Sequence, residues 1–260
     1  QLADGGFEVN VALAERLTQI APLWEDFPDA KAIYWVDGAP AKEGEEINNP
    51  ALARTLERVA ELGPEAFYAG ETAQEIVRNV TTAKVNPGDM TAADLTAYAA
   101  KERPPVCMTY RVYNVCGMGP PSSGGITVMQ ILGQLAPFDM AALGPDNPQS
   151  WHLIGQSMQL AYADRGTYLG DPDFVEVPVA GLIDPEYLAQ RSGLIDPKAA
   201  RTDYPAGTPK NATAWRFAEP EVEEGTTHFT VVDLAGNVVS MTSTIEGPFG
   251  SQLIAGGFFL

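Results

Sequence analysis

The stretch with the most chemical potential is Thr226-Thr-His-Phe-Thr-Val-Val232, a β-rich run directly after the acidic segment Glu219–Gly225. A threonine hydroxyl is a weak nucleophile until a base removes its proton. If the peptide bond before Thr226 were cut, the new α-amine, with a pKa of about 7.7–8.0, would supply that base near neutral pH. Gly225 tolerates the strained backbone that such a self-cleavage requires. These residue types permit an N-terminal nucleophile at Thr226.

A second β-rich run, Val238–Ile245, predicts the partner of this nucleophile. The turn-like sequence Asp233-Leu-Ala-Gly-Asn237 separates the two runs and favours a three-residue hairpin loop with Gly236 in the left-handed region. Counting outward from that loop, Thr226 faces Thr244 at about 5 Å between Cβ atoms. Thr244 would then hydrogen-bond the Thr226 hydroxyl and hold its rotamer. A two-residue loop would instead move Thr226 away from Thr244.

The same residues also have a plain structural interpretation. Threonine is common in strands, and a threonine-rich hairpin after a loop is usually only an exposed sheet face. Chemistry alone therefore leaves both interpretations open.

Composition excludes several classes of function. The formal net charge of −18 argues against nucleic acid or anionic membranes as partners. No apolar run approaches the roughly 20 residues that a membrane span needs. Two cysteines and two histidines are too few and too scattered for a zinc site, and they fit a Ser-His-Asp triad poorly. We expect no metal.

The elements that must position Thr226 follow from periodicity and from breaker residues. The patterns predict helices over 8–24, from Asn49 to an end at Gly63-Pro64, from Thr72 to Val80, from a capping box at Thr91 to Tyr98, from Gly124–Gly125 to Leu135 and from Asn147-Pro148 onward. They also predict a strand over Ala32–Val36 and a mobile loop over about 196–225.

Cys107 and Cys116 flank Tyr110–Tyr113 in a pattern that predicts a tight β-hairpin. Opposed cysteines on paired strands form a disulfide if the protein is exported. Two buried thiols are the alternative, and the sequence does not decide between them.

Several segments together resemble the γ-glutamyltransferases, also called γ-glutamyltranspeptidases or glutathione hydrolases. The matching segments are Pro120-Pro-Ser-Ser-Gly-Gly125, Ala161-Tyr-Ala-Asp-Arg165, Tyr168-Leu-Gly-Asp-Pro-Asp-Phe-Val175, Val177-Pro-Val179, Thr226-Thr-His-Phe-Thr-Val-Val-Asp233, Gly236-Asn237, Thr244-Ile245 and Phe249-Gly-Ser251. The Thr-Thr-His string, placed downstream of Tyr-Leu-Gly-Asp-Pro, is highly specific, and the resemblance covers nearly the whole chain.

The resemblance implies an α+β fold, the αββα sandwich of N-terminal-nucleophile hydrolases, which this chain would contain in part because both of its ends look truncated. It also implies a precursor that cleaves itself between Gly225 and Thr226. Residues 1–225 would be the later part of the large subunit, and residues 226–260 the start of the small subunit.

The family's site residues carry over onto three positions. Thr226 would be the nucleophile, Thr244 the threonine that hydrogen-bonds it, and Glu246 the contact for the α-amino group of the glutamyl donor, a suitable partner for a carboxylate. The family's donor-carboxylate arginine would precede Gln1. Its acidic α-amino contact, serine pair and oxyanion-hole glycines would follow Leu260.

The function that the resemblance implies is transfer or hydrolysis of the γ-glutamyl group of donors such as glutathione, through an ester on Thr226. Amino acids, peptides or water would be the acceptors, the two subunits of one precursor would be partners, and no metal or organic cofactor would be needed. The resemblance also implies a location in the periplasm or outside the cell, as is usual for the family. Alternatives are a cephalosporin-type acylase or poly-γ-glutamate enzyme with the same self-processing, or a non-processing homologue.

Overall fold

The structure, a computed structural model, describes residues 1–213 and 225–260. Within this part the chain forms two compact units, the first from residues 1–100 with 225–260 and the second from residues 101–213. Residues 196–213 form neither helix nor strand, and the rest of the predicted mobile loop, residues 214–224, lies outside the described residues. The predicted subunit boundary at Gly225–Thr226 is a cleavage site. The division into compact units does not test it, so it stays a prediction.

The first unit begins with short strands between helices. Its elements up to residue 100 are α1 (Leu2–Gly5), β1 (Phe7–Glu8), α2 (Val11–Ile20), a 3₁₀ helix (Leu23–Asp26), α3 (Pro28–Tyr34), β2 (Trp35–Val36), β3 (Ala39–Pro40), β4 (Glu46–Ile47), α4 (Pro50–Leu62), α5 (Glu65–Tyr68), α6 (Gly70–Thr81) and α7 (Ala92–Ala97).

Two sequence predictions in this region need correction. The helix predicted from residue 8 begins only at Val11, because Asn10 caps it by accepting a hydrogen bond from the Leu13 amide at 2.9 Å. The strand predicted over Ala32–Val36 is wrong in its first half, since α3 starts at Pro28, a favoured first-turn residue, and continues to Tyr34. The predicted α4, α6 and the capping box of α7 are confirmed.

The second unit contains β5 (Val106–Tyr110), β6 (Tyr113–Gly117), α8 (Gly124–Leu135), α9 (Met140–Leu143), α10 (Pro148–Tyr168), α11 (Val179–Leu182) and α12 (Pro185–Ser192). The predicted cysteine hairpin is confirmed. Cys107 lies opposite Cys116 on β5 and β6, and the two are joined in a disulfide, so the alternative of free thiols is wrong.

A buried carboxylate organises the second unit. Asp164 on α10 is fully buried and accepts hydrogen bonds from Arg191 Nη2 at 3.0 Å, the Tyr187 hydroxyl at 2.8 Å and the Gly207 amide at 2.8 Å. Burial and the Asp164 charge raise the pKa of Tyr187, which keeps its phenol a proton donor to the carboxylate. The charge is therefore paired and fully hydrogen-bonded, as burial requires.

The chain then returns to the first unit with β7 (Thr227–Val232), β8 (Val238–Ser243), β9 (Ile254–Ala255) and β10 (Phe258–Phe259). The strands of the described residues form antiparallel pairs: β1 with β4, β2 with β3, β5 with β6, β7 with β8, and β9 with β10. Among residues 1–213 and 225–260 no helix is long and apolar enough to cross a membrane.

Candidate active site

The hairpin β7–β8 has the register that the sequence predicts. His228 lies opposite Thr242. The Asp233 amide donates a hydrogen bond to the Asn237 carbonyl oxygen at 3.0 Å. Gly236 has a φ of +85°, the left-handed conformation expected of it. The Asp233 carboxylate accepts from the Asn237 amide at 2.8 Å, and its hydrogen bonds to Asn237 lower the pKa of Asp233. The loop thus sets which residues of the two strands face each other.

This register brings the two predicted catalytic threonines together. The Thr226 hydroxyl donates to Thr244 Oγ1 at 3.1 Å, and the Thr244 hydroxyl donates to the carbonyl oxygen of Gly225 at 2.9 Å. The amide of Glu246 donates to Thr244 Oγ1 at 3.0 Å. A hydroxyl has one proton to donate and two lone pairs to accept with, and Thr244 uses all three. Its side chain is therefore held in one orientation between Thr226 and the Gly225 carbonyl.

An open cavity of about 720 Å³ lies beside this pair. Its lining residues come from α2, from the two ends of the hairpin and from the segment after β8: Arg16, Gly225, Thr226, Thr227, Ser243, Thr244, Ile245, Gly247, Pro248 and Phe249. Arg16 is the only charged side chain among these described residues. Arg16 therefore places a positive charge at the cavity that holds the candidate nucleophile, in a chain whose net charge is −18.

Glu246 takes part through its backbone. Its φ is +69°, it is exposed, and its amide supports Thr244. The cavity is lined by its neighbours Ile245 and Gly247 but not by Glu246 itself. The donor-binding role predicted for its carboxylate stays a prediction.

His228, the histidine of β7, is not placed to act as a base for Thr226. His228 Nδ1 lies 2.8 Å from Thr242 Oγ1, and Nε2 lies 3.1 Å from Ser240 Oγ. Both ring nitrogens are thus engaged by hydroxyls of β8, so neither is directed at Thr226. If Thr226 is the nucleophile, its base would be a group other than His228.

Two other kinds of site, a metal centre and a second cavity, do not involve the predicted site residues within the described part of the chain. No group of three or more His, Cys, Asp or Glu side chains among them is placed to hold a metal ion. A second cavity, of about 670 Å³, lies in the second unit beside Tyr162 and Tyr204 and contains none of the predicted site residues.

Sequence reasoning missed Arg16 and Phe249 as lining residues. Arg16 precedes Thr226 by 210 positions, and nothing in the local pattern of α2 indicates which of its exposed side chains faces the hairpin. Phe249 was part of the family resemblance, but its place beside Thr226 depends on the turn after β8.

The family model described as Gamma-glutamyltranspeptidase matches residues 1–260. The chain belongs to this family. A glutathione hydrolase proenzyme from Escherichia coli strain K12 is 39% identical over 257 residues, which are 98% of this chain and 43% of that protein. The crystal structure of Helicobacter pylori gamma-glutamyltranspeptidase matches with a TM-score of 0.72 and 35% identity, covering 77% of this chain and 57% of that one.

The chain is also similar to solved structures of lower sequence identity. The cephalosporin acylase from Bacillus halodurans matches with a TM-score of 0.81 and 25% identity, over 99% of this chain and 45% of that one. The predicted family and fold class, a mixed α and β fold of the N-terminal-nucleophile hydrolase type, are confirmed by these matches. The chain spans less than half the length of the curated family relatives that it matches.

Proposed function

We propose that the whole protein cleaves itself between Gly225 and Thr226 and then uses Thr226 to transfer or hydrolyse the γ-glutamyl group of donors such as glutathione. The observation that carries the proposal is the hydrogen-bond chain from the Thr226 hydroxyl through Thr244 to the Gly225 carbonyl. It joins the attacking group to the carbonyl that would be attacked.

In the cleavage step, Thr226 Oγ1 attacks the carbonyl carbon of Gly225. The Thr244 hydroxyl donates to the carbonyl oxygen, where negative charge develops, and so stabilises the tetrahedral intermediate. Breaking the C–N bond leaves Gly225 as an ester on Thr226 and moves the hydroxyl proton to the new α-amine. Water then hydrolyses the ester and releases the Gly225 carboxylate.

In turnover, the free α-amine of Thr226 takes the proton of its own hydroxyl. The oxygen attacks the γ-amide of the donor, and the same proton leaves with the departing amine. The γ-glutamyl ester on Thr226 is resolved by water, which gives glutamate, or by the amine of an amino acid or peptide, which gives a new γ-glutamyl amide. Glu246 contacts the donor's ammonium. None of these steps calls on a metal or an organic cofactor.

The relatives support glutathione-type donors as the preferred substrate class, because the E. coli protein of 39% identity is a glutathione hydrolase proenzyme. A second candidate, a cephalosporin-type acylase with the same processing, is favoured by the match to the B. halodurans acylase. Both use the same nucleophile, so substrate profiling separates them.

The test uses the purified full-length protein. We expect intact mass and N-terminal sequencing to show two chains, one beginning Thr-Thr-His-Phe, and p-nitroaniline to be released from γ-glutamyl-p-nitroanilide. Cleavage with no release from the anilide but hydrolysis of a cephalosporin side chain would support the acylase instead. A single uncut, inactive chain would contradict the proposal.

The disulfide bears on the compartment that we propose for the whole protein. A disulfide such as Cys107–Cys116 persists mainly in oxidising environments. The disulfide and the usual location of the family together support a periplasmic or extracellular location for the whole protein.

Arg16 is expected to set preference for the leaving group, since it is the only charged residue among the described lining residues. A leaving group such as Cys-Gly carries a carboxylate, whereas p-nitroaniline does not. We expect Arg16→Gln to raise the KM for glutathione about two- to fivefold, the range of an exposed ion pair, and to leave the KM for γ-glutamyl-p-nitroanilide unchanged.

The matched control for that variant is Arg78→Gln, which removes the same charge from an exposed position on α6 that does not line the cavity. An equal rise in KM for both donors would contradict a leaving-group role for Arg16.

A further inference from the structure

The loop between β8 and β9 forms one wall of the cavity at Thr226. We call it the wall loop, residues 245–253. Its residues that line the cavity are Ile245, Gly247, Pro248 and Phe249. The same loop carries Glu246, whose amide supports Thr244 and whose carboxylate is the proposed contact for the donor's ammonium. The groups that would face the donor from this side therefore lie on one short segment.

The backbone of the wall loop is strained. Three of its non-glycine residues, Glu246, Phe249 and Gln252, have φ values of +69°, +63° and +69°, in the left-handed region that side chains disfavour. Such conformations persist only where the surrounding contacts fix them, and they are concentrated at functional sites. The shape of this wall therefore depends on contacts that hold the loop.

Gln252 supplies such contacts through its side-chain amide. Its Nε2 donates to the carbonyl oxygens of Pro248 and Gly250, both at 2.9 Å, and its Oε1 accepts from Trp24 Nε1. A primary amide has two N–H donors and one carbonyl acceptor. Gln252 uses both donors within the loop and its acceptor on a residue outside the loop.

The residue at the other end of this link, Trp24, is fixed in the core of the first unit. It is fully buried, and its ring packs against Tyr34 and Trp35 with centroids 5.9 and 5.1 Å away. The same ring meets Phe249 edge-on at 5.0 Å. Trp24 thus contacts the wall loop twice, once through a ring that lines the cavity and once through Gln252.

The backbone hydrogen bonds of the loop do not replace this link. The amides of Gly247, Gly250 and Gln252 donate to carbonyl oxygens two or three residues earlier in the chain, at 2.9–3.1 Å. They shape the loop locally but do not tie it to the core. Gln252 does not itself line the cavity, so it acts on the cavity through Pro248 and Phe249.

We propose that Gln252, held by Trp24, is a positioning residue that fixes the wall of the Thr226 cavity and so sets how tightly the γ-glutamyl donor binds. The inference rests on the proposed function, in which Thr226 acts on such donors. The hydrogen bonds that join Thr226, Thr244 and the Gly225 carbonyl do not include the wall. Loss of the Gln252 amide should therefore weaken donor binding and leave self-cleavage intact.

The test compares Gln252→Met with Gln74→Met in the full-length protein. Methionine is unbranched and of similar length, and neither change alters the charge, but the amide donors and acceptor are lost. Gln74 is exposed on α6 and does not line the cavity, which makes it the matched control. The measurements are the fraction of cut chain over time, and kcat and KM with glutathione and with γ-glutamyl-p-nitroanilide.

We expect Gln252→Met to be cleaved at the wild-type rate and to have a KM about tenfold higher, the effect of losing one or two hydrogen bonds. The rise should be equal for both donors, because they share the γ-glutamyl group. The kcat should stay within about twofold of the wild type, since a loss of uniform binding raises KM alone. Gln74→Met should match the wild type.

Trp24→Phe tests the other end of the link, because it removes the indole N–H and keeps an aromatic ring. It should raise KM for both donors likewise, whereas Trp35→Phe, which leaves the donor to Gln252 in place, should not. The double variant Gln252→Met with Trp24→Phe should show little more than the larger single effect, because the two residues act through one hydrogen bond.

The outcomes separate this inference from the proposed function. If the wild type is neither cleaved nor active on γ-glutamyl donors, the proposed function fails and the role of Gln252 fails with it. If the wild type is cleaved and active but Gln252→Met keeps the KM of Gln74→Met, only the inference is overturned. Equal slowing of cleavage and turnover in Gln252→Met would indicate a general loss of structure and would also overturn it.

Discussion

Thr226→Ala in the full-length protein is expected to remain one uncut chain and to lose γ-glutamyl release by a factor on the order of 10⁴ or more, as removal of a nucleophile does in other hydrolases. Without Oγ1, no other hydroxyl among the described residues is hydrogen-bonded to Thr244 and placed to attack the Gly225 carbonyl. Without cleavage, no α-amine forms to act as the base. Intact mass after incubation near neutral pH, together with release from γ-glutamyl-p-nitroanilide, measures both losses.

Thr230→Ala is the matched control for this variant. Thr230 lies on β7, four residues after Thr226, and hydrogen-bonds Ser240 rather than Thr244. We expect it to be cleaved and active. Two chains in Thr226→Ala, or equal loss in both variants, would mean that Thr226 is not the nucleophile.

Thr244→Val is expected to slow cleavage and turnover about 10²- to 10³-fold, the range seen when one positioned donor to a developing oxyanion is removed. Valine has nearly the shape of threonine but cannot accept from Thr226 or donate to the Gly225 carbonyl. Thr244→Ser keeps the hydroxyl and should recover most of both rates. The fraction of cut chain over time and kcat for the cleaved protein are the measurements.

Thr242→Val is the control for position 244. It also removes a strand hydroxyl, one that contacts His228 Nδ1 and not Thr226. A Thr244→Val protein that cleaves and turns over like Thr242→Val would show that the Thr226 hydroxyl needs no positioning by Thr244.

The hairpin could be predicted because its determinants are local. The turn sequence requires one left-handed glycine, and this sets the loop length. Because strand residues pair one to one, the loop length then fixes which residues face each other along the whole hairpin. Thr226 and Thr244 are 18 residues apart, yet their contact follows from the five residues between the strands. The disulfide required only the pairing of Cys107 with Cys116 and an oxidised state.

Predictions failed where local signals competed. Ala32, Ile33 and Tyr34 are apolar in a run of strand length, but a proline at the first turn of α3 commits them to helix. A short apolar run does not by itself distinguish a buried strand from a buried helix, and its neighbours decided the outcome here.

The sequence by itself predicted the hairpin that carries Thr226, the register that a three-residue loop gives it, the cysteine hairpin and the family, because each depends on residues that are close together or on specific strings. Only the tertiary structure placed Arg16 at the Thr226 cavity and Asn49 against Gly257, 208 residues away. The side chains that make such contacts could point in several directions without changing the helix that carries or follows them. Which of them meets a distant backbone is decided by how the core packs, and no local pattern contains that information.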